Sequence, residues 1–248
     1  MRRRTLVKSL QGITVALAIV LFGASSALTT QGTKESRYKI YSRGIRVGEL
    51  VSSISHHPAS GEKVLKYVST CSIKAHFVVY SYTMENREEA LVGEGGTFSY
   101  LRTERENESK RRVEGKLVNG KFHLQVQENG VNRTVVVDRN QYDSTTMECP
   151  EVAMKKEGDH LELRLLDFET LSVVTRKYTW IKSEEITVGG KTFHCRVIDF
   201  EDANKKCRRW IKPDEPGVII TRQDGRGKNG SYSLRMINHS DIVNERTS

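Results

Sequence analysis

Cys71, Cys149, Cys195 and Cys207 are the side chains in this sequence best suited to covalent or metal chemistry. An even number of cysteines in a chain with an export signal points to disulfides, and four cysteines allow three pairings. Zinc would recruit Cys195, Cys207 and His194. No Cys-x2–4-Cys pair exists, however, and neighbouring strand residues such as His194 and Cys195 point to opposite faces. A Cys-x-x-Cys redox pair is also missing.

Asp199, Glu201, Asp202 and Asn204 crowd one turn, the kind of oxygen-rich loop that calcium takes. A calcium loop needs Gly at its sixth position and Glu at its twelfth, where Asn204 and Trp210 stand. The segment therefore reads as a solvated turn. His56-His57-Pro58 reads as a polar loop, because adjacent residues on extended chain diverge. The nucleophile elbow, the zinc helix, the phosphate loop and the dinucleotide fingerprint are all absent. The expectation is a protein without a cofactor and without catalytic machinery.

Two basic runs remain, Lys110-Arg111-Arg112 and Lys205-Lys206-Cys207-Arg208-Arg209. They could meet an anionic envelope surface, each charge contributing about 1 kcal/mol there. The plainer reading is a solvated strand edge, where Lys and Arg discourage sheet-to-sheet pairing. Acidic residues lie close to both runs, which favours the plainer reading. No aromatics interleave with them, so a nucleic-acid partner is not expected.

Strands must position these residues. Short alternating segments run from Tyr38 to about Asn238, and Arg43-Gly44 can turn the first pair into a hairpin. Asn119-Gly120 and Asn129-Gly130 are strong type I′ turn dipeptides. Two-residue turns set register by arithmetic. Leu117 falls opposite Phe122, Val113 opposite Val126, Leu124 opposite Val135, and Phe122 opposite Val137. These seven residues share one face, as core or as the lining of an apolar concavity, and His123, Gln125 and Gln127 take the other. Helix is conceivable only between Gln141 and Lys156, where Pro150 interrupts it.

The reading is an all-β chain, a single large curved antiparallel sheet or half-open barrel with at most one or two short helices. A hairpin centred near Glu201 would place Cys195 opposite Cys207 and predicts a disulfide between them. Cys71 and Cys149 are then a second, long-range pair or free thiols.

Of the 248 residues, 37% are hydrophobic and 29% charged, which excludes a disordered chain and a cysteine-dense miniprotein. Arg2, Arg3, Arg4 and Lys8 precede an apolar stretch from Ile13 to Phe22, and Ser25-Ser26-Ala27 suits a signal peptidase. That stretch is about half the roughly 20 residues a membrane span needs, so an integral membrane protein is not expected. The expected organisation is a cleaved leader (1–27), a flexible segment (28–36), one β domain (37–240) and a polar tail (241–248). Arg3-Arg4-Thr5-Leu6-Val7-Lys8 also resembles a twin-arginine export signal, with Leu6 and Val7 departing from it. Removing the leader takes four of the 40 Lys and Arg and none of the 31 Asp and Glu, leaving +5.

Tyr38-Lys39-Ile40 and Gly44-Ile45-Arg46-Val47-Gly48-Glu49 resemble the first hairpin of a bacterial exported family of unknown function. Trp210-Ile211, then Pro216-Gly217-Val218 and a last hairpin, resemble its C-terminal part. That family is similar in architecture to the periplasmic lipoprotein carriers, whose sheet wraps as a half-open barrel around an apolar cavity. The resemblance implies the same curved sheet but carries over no binding residue. Two functions follow as expectations for a periplasmic or secreted protein. One is a carrier of an apolar or lipidic ligand on the concave face of its sheet. The other is a structural or interaction module that meets envelope proteins through its surface.

Overall fold

The computed structural model describes residues 32–57, 64–77, 80–214, 217–227 and 230–242. The expected leader, Pro58, Pro216 and most of the expected tail lie outside the described residues. Among the described residues fifteen strands form one sheet. The first eight are β1 (Thr33–Ser42), β2 (Ile45–His56), β3 (Leu65–Phe77), β4 (Tyr80–Gly93), β5 (Gly96–Glu106), β6 (Ser109–Val118), β7 (Lys121–Glu128) and β8 (Val131–Asp138). The other seven are β9 (Ser144–Thr145), β10 (His160–Asp167), β11 (Ser172–Val188), β12 (Lys191–Glu201), β13 (Lys205–Pro213), β14 (Val218–Gly227) and β15 (Gly230–Ile242). β1 begins at Thr33 and β15 ends at Ile242, so ordered strand extends into both segments expected to flank the domain.

Local turn chemistry explains the first arm. Asn119 and Gly120 have φ of 51° and 73°, and Asn129 and Gly130 have φ of 48° and 86°. Both pairs adopt the left-handed conformations a type I′ turn requires. The register that follows is the expected one, with Leu117 opposite Phe122, Val113 opposite Val126, Leu124 opposite Val135 and Phe122 opposite Val137. Val113, Phe122, Leu124, Val126 and Val137 are buried, while Leu117 and Val135 are partly buried against the same core. Gln125 and Gln127 are exposed on the opposite face.

Spatial order runs β8-β7-β6-β5-β4-β3-β2-β1-β15-β14-β13-β12-β11-β10-β9. From β1 at the middle, the strands meander out to β8 and re-enter at the far end of the sheet. Only residues 139–143 separate β8 from β9, and so short a link reaches at most about 20 Å. The sheet is therefore rolled so that its far end tucks inside the first arm. There β9 pairs in parallel with β10, and Thr145 Oγ1 lies 2.7 Å from Thr97 Oγ1 of β5. Rolling buries Tyr142, Met147, Cys149, Met154, Leu165 and Phe168 within the concavity. The segment with helical leanings forms only two short 3-10 turns, Arg139–Gln141 and Pro150–Ala153, the second with Pro150 as its first residue.

The β12–β13 hairpin corrects the disulfide expectation. Its turn spans Asp202 to Lys205, closed by the Asp202 N–H donating to the Lys205 carbonyl at 2.9 Å. Glu201 pairs with Lys206 and Phe200 with Cys207, so the centre lies beyond Glu201. Cys195 sits five residues from Phe200, about 16 Å along the strand and on the other face of the sheet. All four cysteines are free thiols. Asp224-Gly225, a dipeptide of the kind that commonly turns a chain, lies inside β14. A Cβ there would stand 2.3 Å from the Tyr232 ring, so glycine is needed for that close approach.

Candidate functional site

The concave side of the second arm holds charged groups. On β13, alternation turns Lys205, Cys207 and Arg209 inward and Lys206 and Arg208 outward. Arg209 is 3% exposed. Its Nε donates to Gln223 Oε1 on β14 at 2.7 Å, and its Nη1 donates to Glu151 Oε1 at 3.0 Å. Gln223 in turn donates to the Tyr232 hydroxyl on β15 at 2.5 Å, and Cys207 Sγ lies 3.6 Å from that oxygen. Burial works against the Arg209 charge, but Glu151, joined by Cys149, Tyr178 and Cys207, outweighs it and holds the guanidinium pKa above its ordinary value.

A second buried pair stands beside it. Arg176 of β11 donates from Nε to Asp202 Oδ2 at 2.9 Å, and the Asp202 side chain is fully buried. Phe200 lies between the two cations, with Arg176 at 4.9 Å and Arg209 at 4.8 Å from its ring centroid. Asp202 Oδ1 also accepts the Asn204 and Lys205 N–H groups, at 2.8 and 3.1 Å. One carboxylate thus shapes the hairpin turn and neutralises an arginine on the next strand.

A third group gathers where the two arms meet, with Glu169 and Asp167 near enough to act on Glu88. Tyr100 of β5 donates to Glu88 Oε1 on β4 at 2.6 Å, and Arg102 pairs with Glu104. Lys205 reaches Glu169 at 3.3 Å and Asp167 at 4.0 Å across the concavity. Burial pushes the carboxyls of Glu88 and Glu169 up from their ordinary values. It also pushes the Cys71 thiol up to about 12, and it raises Cys149, Cys195 and Cys207. All four sulfurs are thereby held as neutral thiols at neutral pH.

The sequence-level candidates separate in space. His194 is exposed beside Glu185 at 3.1 Å, whereas Cys195 is buried 3.3 Å from Thr221 Oγ1. The acidic turn is not a solvated one throughout. Asp199 pairs with Arg208 at 2.6 Å, Glu201 pairs with Lys206, and Asp202 is buried with Arg176. Each carboxylate already faces a cation, and no cluster that could hold a metal ion occurs among the described residues. The basic runs lie on β6 and β13, which are flanked on both sides. They are therefore not sheet edges, as the plainer reading had supposed.

Sequence inspection missed Glu88, Glu151, Asp167, Arg176 and Gln223, and it read Asp202 as part of a solvated turn. The one available signal was period-two alternation, which sets Arg209 in line with Cys207 and Arg176 in line with Tyr178. Nothing local marks the carboxylates that pair with them, Asp202 at 26 residues from Arg176 and Glu151 at 58 from Arg209.

Open depressions also lie over the outward-facing side chains of both arms. One, over β10–β15, encloses about 1060 Å³ and includes Lys177, Asp199, Arg208, Trp210 and Arg222. The other, over β3–β7, encloses about 980 Å³ and includes Glu85, Arg87, Arg105, Lys110 and Arg112. Both present alternating charges.

No protein family and no curated protein matches the chain. Among solved structures it is similar to a β-barrel-like protein of domain of unknown function DUF1849 from Brucella abortus. The TM-score is 0.58 at 10% identity, covering 86% of this chain and 99% of that one. At that identity the likeness establishes the fold, a large curved all-β sheet, and leaves function to the site itself.

Proposed function

We propose that this chain is an exported cell-envelope protein that works as an interaction module, its sheet packing its own core and its surface meeting envelope partners. The observation that carries this reading is the filled concavity. Residues 142–171 occupy it with Tyr142, Met147, Cys149, Leu165 and Phe168, all buried. Around them stand the Arg209–Glu151 and Arg176–Asp202 pairs, with every side chain at most 5% exposed. An acyl chain entering there would have to displace packed aromatics and strip ion pairs of their partners, which is costly in a low-dielectric interior.

Export is supported by the basic and apolar leader ending at Ala27. Among the described residues no helix is long and apolar enough to cross a membrane. The test is native mass spectrometry of gently purified protein, together with N-terminal sequencing of the exported form. Bare protein beginning at Leu28 is the expected result. A stoichiometric lipid would overturn the module reading in favour of a carrier, and an uncleaved N-terminus would overturn the leader.

A further inference from the structure

The two edges of the sheet differ in kind. β9 is two residues long, both buried, and it covers only Leu165 and Leu166 of β10, so that end of the sheet offers short open stretches of β10 and β11 rather than one continuous edge strand. β8 is eight residues long, pairs with β7 without a bulge, and is exposed over most of its length. Val131 is 69% and Val136 49% exposed. The edge carries no proline, and its residues Val131 to Asp138 include one cation, Arg133, and one anion, Asp138. These are few of the devices that normally blunt an edge.

Hydrogen-bond parity follows from the turn. A two-residue type I′ hairpin makes Glu128 and Val131 a bonded pair, so Val131, Arg133, Val135 and Val137 direct their backbone groups to β7. Asn132, Thr134 and Val136 therefore direct theirs outward. The next outward N–H, that of Asp138, is taken by the Gln141 side chain at 3.3 Å.

We propose that β8 is a docking edge for a second copy of this chain, pairing antiparallel with its own equivalent about a two-fold axis. This goes beyond the module reading and does not depend on it. A strand that pairs with its own equivalent about a two-fold axis uses up both open sides at once, so the β8–β8 contact closes at a dimer. Charge and side-chain character select the register. Centring on Val135 sets Val135 against Val135, Thr134 against Val136 and Asn132 against Asp138. The half-buried Val135 then continues the apolar row it shares with Leu124. Each Asp138 carboxylate meets a neutral amide, and the two Arg133 side chains stay four residues apart. Shifting the centre to Val136 would oppose Arg133 and Arg139. Shifting it to Thr134 would set the two Arg133 side chains diagonally beside each other, an unfavourable arrangement. The chosen register forms six backbone hydrogen bonds.

Sedimentation velocity of the purified protein over a range of concentrations tests this. Wild type should sediment at twice the mass of one chain at high micromolar concentration. Thr134→Pro removes only an outward N–H, and Val136→Lys places a charge on the edge. Each should give a single-chain mass with an unchanged circular dichroism spectrum. If Thr134→Pro fails to fold, Val136→Lys decides alone. A wild type that is a single chain at every concentration overturns the proposal, including one that pairs only with strands of other proteins. Variants that remain dimeric overturn it as well.

Discussion

Tyr100 and Phe168 stack face to face, with ring centroids 4.0 Å apart and planes 14° from parallel. Tyr100 belongs to β5 in the first arm, and Phe168 lies just past β10 in the second. Phe122 adds a tilted ring 5.2 Å from Phe168. This three-ring contact clamps one end of the sheet inside the other, and both Phe168 and Tyr100 are 1% exposed.

Truncating this clamp should be expensive. Phe168→Ala and Phe122→Ala are each expected to cost about 3–5 kcal/mol, the range for fully buried aromatic side chains. Gln125→Ala, on the exposed face of β7, should cost a few tenths. Urea denaturation of the three variants checks the face assignment, and equal effects would refute it.

Removing one member of the Arg209–Glu151 pair leaves an uncompensated buried charge. Arg209→Met alone should destabilise by about 3–5 kcal/mol. The double variant Arg209→Met, Glu151→Leu should recover much of that loss, because neither charge is then buried. A double-mutant cycle by chemical denaturation gives the coupling.

Stability should fall as pH rises above the ordinary glutamate value of 4.5. Glu88 and Glu169 have folded-state pKa values raised chiefly by burial, so the folded protein holds those protons more tightly than the unfolded chain. Their contribution is complete below the unfolded value and is lost as pH rises through the folded values. Glu88→Gln should flatten that slope in a series of thermal melts. Asp143 has the opposite sign, because hydrogen bonds from Arg164 hold its carboxyl low. Its contribution is lost as pH falls.

Gly48 belongs to the Val-Gly step of the first hairpin, and a Cβ there would stand 2.2 Å from the Ser72 carbonyl oxygen of β3. Backbone on a neighbouring strand cannot swing aside as a side chain can. Gly48→Ala should therefore destabilise by at least the roughly 1–3 kcal/mol of an overpacked core. Gly95→Ala, with nothing within 4 Å of the added carbon, is the control in the same thermal melts.

The thiols should be unreactive in the folded state. Cys71, Cys149, Cys195 and Cys207 are all buried, and burial raises every one of their pKa values. At neutral pH a thiol reagent should label none of them until denaturant is added, and then all four. A peptide map of oxidised protein that joins Cys195 to Cys207 would contradict the observed register.

What the sequence by itself determined is the class of fold and the register wherever a turn carries its own conformational constraint. Asn119-Gly120 and Asn129-Gly130 need nothing from the rest of the molecule. Two residues held at positive φ leave one way to pair the flanking strands, and alternation then assigns the faces. The turn after Glu201 lacks such a dipeptide, and its shape comes from Asp202, whose carboxylate is held by Arg176, 26 residues back. That placed Cys207 opposite Phe200 instead of Cys195. The contents of the concavity were likewise decided by the tertiary structure. Arg209 reads as one more charge in a basic run until the sheet rolls and brings Glu151 to it from 58 residues away. Turn conformation is a property of two adjacent residues. Whether a charge is buried depends on what the completed fold lays against it.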